Sequence, residues 1–494
     1  MNVTSHQLWS AVSGPHLLTG AVAAGAALGA LGPGLRRHGW LAAGVALCAV
    51  AATRPLVSFA GVAALLASLS LVAAAGRVHG PPPLTPQAGG ALPCVVEQVP
   101  VRARTGWRYL VSVDEGAPLR SGTVLLARQE HGEPPQVGRR VVVDGGLGPA
   151  SGPDAPGWWR AYLERQGVAA TVRVRDITVV GWRGGWRGVR DAVARRLRAA
   201  IDRRVGGDDA AVVTGVVLGF DERLSEEGRE AFRVSGTAHL LAVSGQNVAL
   251  VGVAVVWALT SAGVSRWAVL WAAAASVLFY AALCQPGASG VRAAAVGLLA
   301  LVAYGAGRPA LSVHMTLLAF AGIVLWSPLT IGDPGFILSF SAVAGILALG
   351  GPLTSALTRV MAGPLAAGVA VSAAATLATA PASALIFGRV SVVGVVINLA
   401  AVPVAGVVLV AGLVGAVAGM VWSPLGAPAL AVAAGGAHVL VWLAQAGAAV
   451  PFATVPAPIA LGLMALGAGA WVVVRVRSGR GLVRRIAARL RDLR

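Results

Sequence analysis

Polar residues that could do chemistry enter a long apolar run near the middle of the sequence, at 239–247. This run combines side chains that hydrogen-bond or titrate with a glycine that permits a helix break; the residues are His239, Ser244, Gly245, Gln246 and Asn247. Because an unpaired polar group in lipid costs several kcal/mol, such a cluster predicts a cavity that is lined by protein or filled with water. The alternative is an ordinary helix start, in which Ser244 or Asn247 caps free backbone N–H groups.

Two charged residues farther along point to an anion path or to structural roles. Arg292 enters an apolar stretch behind the flexible segment 285–289, where it would offer a fixed positive charge with a fork suited to phosphate. Its simpler role is an anchor whose long side chain reaches the membrane interface. Asp333 precedes Pro334 and predicts a helix N-cap; its functional alternative is a partner for Arg292 or another buried arginine. Ser339 follows in the same apolar stretch.

The distribution of charge favours an anionic substrate. Only Asp333 supplies a carboxylate between Glu230 and Asp492, whereas six arginines lie between Glu230 and the closing basic stretch that begins with Arg475. A transporter coupled to protons or cations normally keeps Asp or Glu at mid-membrane, and an anion path would lack them. The net charge is +19 and all 39 basic residues are arginine. Such an excess either holds cytoplasmic loops against anionic lipid or attracts a polyanion. The Pro-broken segment 388–403, which contains Asn398, could line the path.

Metal chemistry and covalent catalysis are not expected. Cys48, Cys94 and Cys284 share no motif spacing, and the eight histidines form no metal-type cluster. An intramembrane enzyme using Ser244 or His239 would need a carboxylate near that histidine to orient it, and the sequence offers none there. We therefore predict no metal site, no cofactor and no enzymatic activity.

The apolar stretches that must position these residues predict a polytopic α-helical membrane protein. Hydrophobic residues make up 56% of the chain, charged residues 12%, and mean hydropathy is +0.75. Residues 1–80 are predicted to form two or three helices, and their N-terminus is not expected to be a cleaved signal peptide. The multi-helix domain covers 207–475, with membrane spans predicted near 239–262, 266–283, 290–306, 310–326, 335–350, 363–387, 391–421 (as one helix or two), 427–449 and 457–474. The basic tail 476–494 should stay in the cytoplasm.

Between these helical regions lies a polar, strand-like region at 81–180. Alternating or β-branched segments occur at Cys94–Val99, Trp107–Val113, Thr123–Arg128, Arg139–Asp144 and Val168–Val174, and a helical segment at Gly157–Gln166 precedes the last of them. This order predicts one small inserted all-β domain, a barrel of the OB type, with a sandwich as the alternative. Residues 181–206 combine an apolar stripe with arginines and predict an amphipathic helix in the membrane interface, or else a solvated connector.

Residues 212–251 resemble the opening of the competence domain in the ComEC family of DNA-uptake channels. The resemblance rests on a Gly-rich step, an acidic amphipathic helix and a His-Leu-x-Ala-x-Ser-Gly signature, matched at Gly215, Gly219, Phe232, Gly236, His239, Ser244 and Gly245. It continues through Ser289 to Ala293, through 333–340 and 388–406, and through 153–168 of the barrel region. Many members carry His where this chain has Asn247, so a hydrogen-bonding role suits this position better than a titrating one.

The resemblance implies a channel in the bacterial cell membrane that passes single-stranded DNA inward during natural transformation. The translocation path would include His239, Ser244, Gly245, Gln246, Asn247, Arg292, Asp333, Ser339 and Asn398. The OB-like domain would face outside and contact DNA through Arg102, Arg104, Arg108, Trp107, Tyr109, Trp158 and Arg160. Partners would be single-stranded DNA and membrane lipid, with a separate DNA receptor and a cytoplasmic ATPase.

Two expectations complete this reading. Fuller family members add a C-terminal metallo-β-lactamase-like domain, which this sequence does not show, so any nuclease is expected to be a separate polypeptide or to be absent. The rival function is a secondary transporter or exporter of a small anion or a lipid-linked sugar.

Overall fold

The computed structural model describes residues 91–463, apart from short gaps at 104, 116–118, 120, 153–154, 156, 221, 243–244, 285–287, 306–314, 317, 321, 324–329 and 331. The predictions for the apolar stretches before residue 80 and for the basic tail lie outside the described residues. Most of the predicted span at 310–326 and the end of that at 457–474 lie outside them as well.

The region that the sequence identifies as strand-like folds into a closed five-stranded barrel, with one extra edge strand. Its strands are β1 (Leu92–Val96), β2 (Val101–Arg102), β3 (Trp107–Val113), β4 (Val124–Gln129), β5 (Arg139–Pro149) and β6 (Val168–Trp182). Neighbours around the barrel follow the order β1, β5, β6, β4, β3, and β3 pairs back to β1. All pairs are antiparallel except β4 with β6. This closure confirms the OB-like barrel and excludes the sandwich.

Alternation along the strands separates the barrel core from its outer face. On β3, Tyr109, Val111 and Val113 point inward and pack with aliphatic residues of all five barrel strands. The intervening Leu110 lies on the outside, where helix α1 (Gly157–Arg165) covers it with Leu163. Each strand therefore has a sealed inner face and an outer face that is only partly covered.

Strand β6 leads almost directly into α2 (Gly185–Asp202), and a buried ion network fixes the joint. Arg183 Nε donates to Asp191 Oδ2 at 2.6 Å, and Arg183 Nη1 donates to Glu97 Oε2 of the barrel at 2.8 Å. Burial alone would lower the pKa of Arg183, but the hydrogen bonds to these two carboxylates outweigh it and raise that pKa above its ordinary value. Arg190 donates to the other oxygen of Asp191 at 2.7 Å. The barrel and α2 are therefore held in one orientation.

A second contact at the same joint involves Trp182. The guanidinium carbons of Arg139 and Arg195 lie 3.8 and 3.4 Å from its ring centroid. Cation–π contacts at these distances attract because the ring face is electronegative. The contact joins the start of β5, the end of β6 and the middle of α2.

After α2 the described chain is mainly helical. Its helices are α3 (Gly207–Leu218), α4 (Glu226–Val234), a 3₁₀ turn (Ala238–Leu240), α5 (Gly245–Ser261), α6 (Arg266–Leu283), α7 (Ala288–Gly305), α8 (Pro334–Leu357), α9 (Gly363–Phe387), α10 (Gly394–Val421) and α11 (Ser423–Ala449). Two short strands, β7 (Arg389–Ser391) and β8 (Thr454–Pro456), pair antiparallel. Helices α6 and α8–α11 are long and apolar enough to cross a bilayer, and α5 and α7 contain shorter apolar helices. The protein is thus a multi-pass membrane protein.

The described residues form two compact units. Among the described residues, the first contains those up to Arg223, 242–336 and 409–434; the second contains 224–241, 337–408 and those from 435 to 463. Helices α5, α6 and α7 belong to the first unit together with the barrel and α2. Helix α9 and most of α8 belong to the second.

Within the first unit, α5, α6 and α7 form an antiparallel group whose two ends differ. Trp257, Trp267, Trp271 and Tyr304 are all more than half exposed and lie at one end, where aromatic rings suit a membrane interface. At the other end the ring of Phe279 on α6 contacts Trp186 of α2, with ring centroids 5.5 Å apart. The barrel is therefore joined to the end of this group opposite the aromatic belt.

Helix packing in the second unit relies on small residues. Ala366, Ala370 and Ala374 of α9 are fully buried at intervals of four residues. Gly345 of α8 packs so closely on α9 that a Cβ there would collide with Ala378. Close approach through small side chains is typical of helices that meet in lipid.

Candidate functional site

The first site residues surround the C-terminal end of α3, in the first unit. Asn247 is 7% exposed, and its Nδ2 donates to the Val216 carbonyl at 2.9 Å. The Tyr280 hydroxyl donates to the Val217 carbonyl at 2.8 Å, and Cys284 Sγ lies 3.7 Å from the same oxygen. The last carbonyls of a helix have no partner within the helix, and burial makes that lack costly. Side chains from α5 and α6 therefore satisfy the end of α3.

Arg292 lies near this cluster, because the residue after it packs beside the start of α5. It is 7% exposed on α7, and an added Cβ at Gly245 of α5 would approach the neighbouring Ala293 to 3.9 Å. Asn247 sits in the first turns of α5 and Tyr280 in the last turn of α6, beside the Phe279 that contacts α2. The first turns of α5 and α7 and the last turn of α6 thus lie at the barrel-side end of the helix group.

A second cluster of polar residues lies in the second unit, around Gly236. This glycine has φ +76°, and a Cβ there would lie 2.8 Å from Ser391 Oγ. The Ser391 hydroxyl donates to the Val234 carbonyl at 2.9 Å, and the hydroxyls of Ser235 and Thr237 are 2.7 Å apart in full burial. The turn after α4 therefore packs tightly on the chain between α9 and α10, and the Gly at 236 is required by both backbone conformation and contact.

His239 stands in the 3₁₀ turn that follows. Its side chain is exposed, and Nδ1 lies 3.1 Å from the Gly236 carbonyl, so this nitrogen carries the hydrogen if the pair is hydrogen-bonded. Nε2 of the ring is then the nitrogen with a free lone pair. The placement suits a polar lining residue.

The remaining predicted path residues are accounted for individually. Asn398 on α10 and Ser339 on α8 are half-buried in the second unit, and Asn398 Oδ1 is buried without a hydrogen-bond donor among the described residues. Asp333 Oδ1 accepts from the Phe336 N–H at 2.9 Å, which confirms the predicted N-cap of α8. Gln246 lies in the first turn of α5, and Ser244 falls outside the described residues.

On the barrel, the structure separates the predicted DNA-contact residues. Tyr109 is 2% exposed in the barrel core and donates to Gln129 at 2.7 Å, so its ring offers no face to a base. Arg102 is exposed, with its guanidinium 5.6 Å from the Trp107 ring. Arg108 lies 5.0 Å from the Trp159 ring of α1. The surface candidates are therefore arginines that rest on indoles.

The other three candidates lie in or near α1. Arg160 is exposed and donates to the Ala155 carbonyl at 3.0 Å. Trp158 belongs to the first turn of α1, and Arg104 falls outside the described residues.

Comparison with known proteins bears on the helical part. The family model described as Competence protein matches residues 216–478, more than half of the chain. The chain belongs to the competence protein family. No curated protein and no solved structure matches it.

The family match covers α4 to α11 and the end of α3, but not the barrel. Within this competence protein, both polar clusters described above fall in or at the edge of the matched range. The barrel surface lies outside it, so its role rests on its own geometry.

Sequence reasoning missed Tyr280 and Thr237. Tyr280 looks like one more apolar position of a span, yet its hydroxyl caps α3. Buried tyrosine hydroxyls usually find a partner, so a lone Tyr inside an apolar run was the available signal. For Thr237 the sequence gives no signal, because its partner Ser235 is identified only by the fold of the turn.

Proposed function

We propose that this competence protein is a channel that passes single-stranded DNA into the cell. The observation that carries the proposal is the distribution of charged residues in the helices. The one carboxylate between Glu230 and Asp492 is Asp333, and it is committed to capping α8. Arg292, by contrast, is buried at the barrel-side end of α7. A path without acids and with a buried guanidinium suits a polyanion better than a cation.

The barrel supports a polymeric rather than a small anion. Its second and third barrel strands, β3 and β4, correspond to the face on which OB-type barrels bind oligonucleotides. That face carries Arg108 on β3 and Arg128 on β4, directly opposite each other. A small-anion or lipid-linked-sugar exporter, the rival function, would have no use for arginines so placed on a soluble domain. In the proposal the barrel lies outside the membrane and receives DNA before the helices do.

The decisive experiment follows a labelled DNA strand into cells. Deletion of the gene should abolish import of the label into the cytoplasm, and normal import by the deletion strain would end the proposal. Arg292→Ala should then reduce import at least tenfold at unchanged protein abundance, and Arg292→Lys should restore part of it because the charge is kept.

Arg359→Ala is the matched control. Arg359 is exposed between α8 and α9. The same substitution there removes one positive charge without changing the side chains that surround the end of α3. Equal loss of import in both variants would indicate a general charge effect instead of a path at Arg292.

A further inference from the structure

We infer that three arginines on the outer face of the barrel form a row that binds the backbone phosphates of an incoming single strand without reading its bases. The row consists of Arg108 on β3, Arg128 on β4 and Arg173 on β6. This inference rests on the proposed function and names the site at which the barrel would meet DNA. Two of its members, Arg128 and Arg173, were not singled out by the sequence.

The strand register aligns the three residues. Arg108 is directly opposite Arg128, and Arg128 is directly opposite Arg173. They point outward, because Leu110 and Leu126, two residues away on β3 and β4, lie under α1 outside the barrel. Neighbouring strands are about 4.8 Å apart, so the row extends over about 10 Å and can meet more than one phosphate.

Like charges directly opposite each other on a sheet destabilise it. A carboxylate next to the row would remove that repulsion, but none of the three arginines forms a salt bridge among the described residues. Other arginines of the barrel region do pair with carboxylates. Arg140 donates to Asp114 at 2.8 Å, and Arg183 is held by two carboxylates. The charge of the row is therefore left available for an external anion.

The Trp159 ring beside the row already contacts two other side chains. Trp159 stacks on Tyr162, with ring centroids 5.3 Å apart and an interplanar angle of 17°. The guanidinium of Arg108 also lies over the Trp159 ring. This arrangement holds Arg108 in place and keeps the Trp159 ring from serving as an open stacking surface, so the row itself offers an incoming strand charge for its phosphates.

A lipid surface is the other partner that arginines would suit, and the distribution of apolar groups argues against it. Three of the four exposed large apolar side chains in the described part of the barrel, Val179, Val180 and Trp182, lie at the end next to α2. Arg173 lies nine residues before Trp182, about 30 Å along an extended strand. The Arg173 end of the row is thus remote from the apolar residues next to α2, and its Arg108 end lies opposite only the fourth exposed apolar residue, Val101.

The test uses the full chain in detergent micelles and a fluorescent 20-nucleotide oligothymidine, with binding followed by anisotropy across a range of salt concentrations. The double variant R128Q/R173Q should bind about tenfold more weakly near 150 mM salt, and its slope of log affinity against log salt should fall by about 1.4, since each lost phosphate contact to a single strand removes about 0.7. R128K/R173K should keep most of the slope, because lysine also releases counterions.

R140Q/R187Q is the matched control. It also removes two positive charges, one from the barrel and one from α2. Unlike the row, Arg140 and Arg187 lie 2.8 and 3.8 Å from the carboxylates of Asp114 and Glu97. Its affinity should stay within about twofold of the unchanged chain, since no phosphate contact is lost. Equal weakening in both double variants would overturn the inference. So would a marked preference of the unchanged chain for oligothymidine over an abasic strand of equal length.

Three outcomes separate the inference from the proposed function. If R128Q/R173Q binds the oligonucleotide normally while the unchanged gene still imports labelled DNA, the row is wrong and the channel stands. If the variant instead loses binding to phosphatidylglycerol vesicles but keeps oligonucleotide binding, the row is a lipid contact and the inference fails. Failure of the deletion strain to lose import would overturn the channel regardless of the row.

Discussion

Replacing Asp191 by Asn should loosen α2 from the barrel far more than the same change at Asp202, although both residues are aspartates of one helix that pair with arginine. Asp191 is 5% exposed and accepts from Arg183 at 2.6 Å and from Arg190 at 2.7 Å. Asp202 is 33% exposed and pairs with Arg223, itself 46% exposed, at 2.6 Å. The shortest distance to arginine is 2.6 Å at both sites, so the sites differ in burial and in the second arginine that Asp191 accepts from.

The expected magnitudes follow from that difference. Removing one partner of a buried ion pair costs about 3–5 kcal/mol, because the remaining charge loses its compensation. The lower end applies to Asp191→Asn, since Asn keeps one acceptor oxygen and Glu97 still holds Arg183. An exposed pair contributes only about 0.2–1 kcal/mol. At about 1.4 kcal/mol for each factor of ten, the opening equilibrium of α2 should rise about 100-fold in the first variant and less than about 6-fold in the second.

Hydrogen exchange of the full chain in detergent micelles measures this directly, because amide protection reports local opening. Peptides from 185–202 should exchange about 100-fold faster in Asp191→Asn, while peptides from β3 keep their protection. The reasoning is refuted if the two variants accelerate exchange equally, or if Asp191→Asn changes it less than tenfold.

The further predictions concern three single residues. Burial, with a smaller contribution from a nearby carboxylate, raises the pKa of Cys94 to about 12, so iodoacetamide should leave this thiol unmodified at pH 8 and react only when the barrel is unfolded. Because the thiol is neutral in the folded barrel up to that pKa, its contribution to stability should be complete below pH 9 and fall between pH 9 and 12. Tyr280→Phe should reduce the free energy of unfolding by about 1–2 kcal/mol, because the end of α3 loses a hydrogen-bond donor. The variant should therefore have a lower melting temperature in micelles. Tyr304→Phe, at a ring that is 55% exposed, should leave the melting temperature unchanged. Gly236→Ala should lower protein abundance sharply; Gly388→Ala shares the positive φ but meets nothing within 4 Å, so a similar loss there would refute the role of contact.

The sequence predicted local elements well wherever one face is clearly apolar. The bounds of α6 and α9 and of strand β3 agree with the predicted segments, because a polar residue or a glycine flanks each of them: Ser265 before α6, Gly388 after α9 and Asp114 after β3. Strand β6 was expected to end at Val174 but continues to Trp182. Its second half carries exposed polar residues, and a bulge beside Asp176 shifts the alternation, so only the pairing with β5 reveals it.

The site was less accessible to sequence reasoning. Tyr109 could have been placed inside the barrel, since it shares the parity of Val111 and Val113 on β3. The partner of Asn247 could not, because Val216 lies 31 residues away and only helix packing brings its carbonyl within reach. The polar residues were identified; which backbone groups they satisfy was not.

The joint between β6 and α2 has a mechanical consequence. A flexible linker would let the barrel tumble, and tension on anything it held would be absorbed by straightening the linker. Here two residues separate the strand from the helix, and Arg183 and Trp182 bind both sides of the joint. A pull on the barrel is therefore transmitted to α2 with little slack, and through the Trp186–Phe279 contact to the helix group. The barrel behaves as a rigid arm, so whatever it holds reaches the membrane helices along a fixed direction.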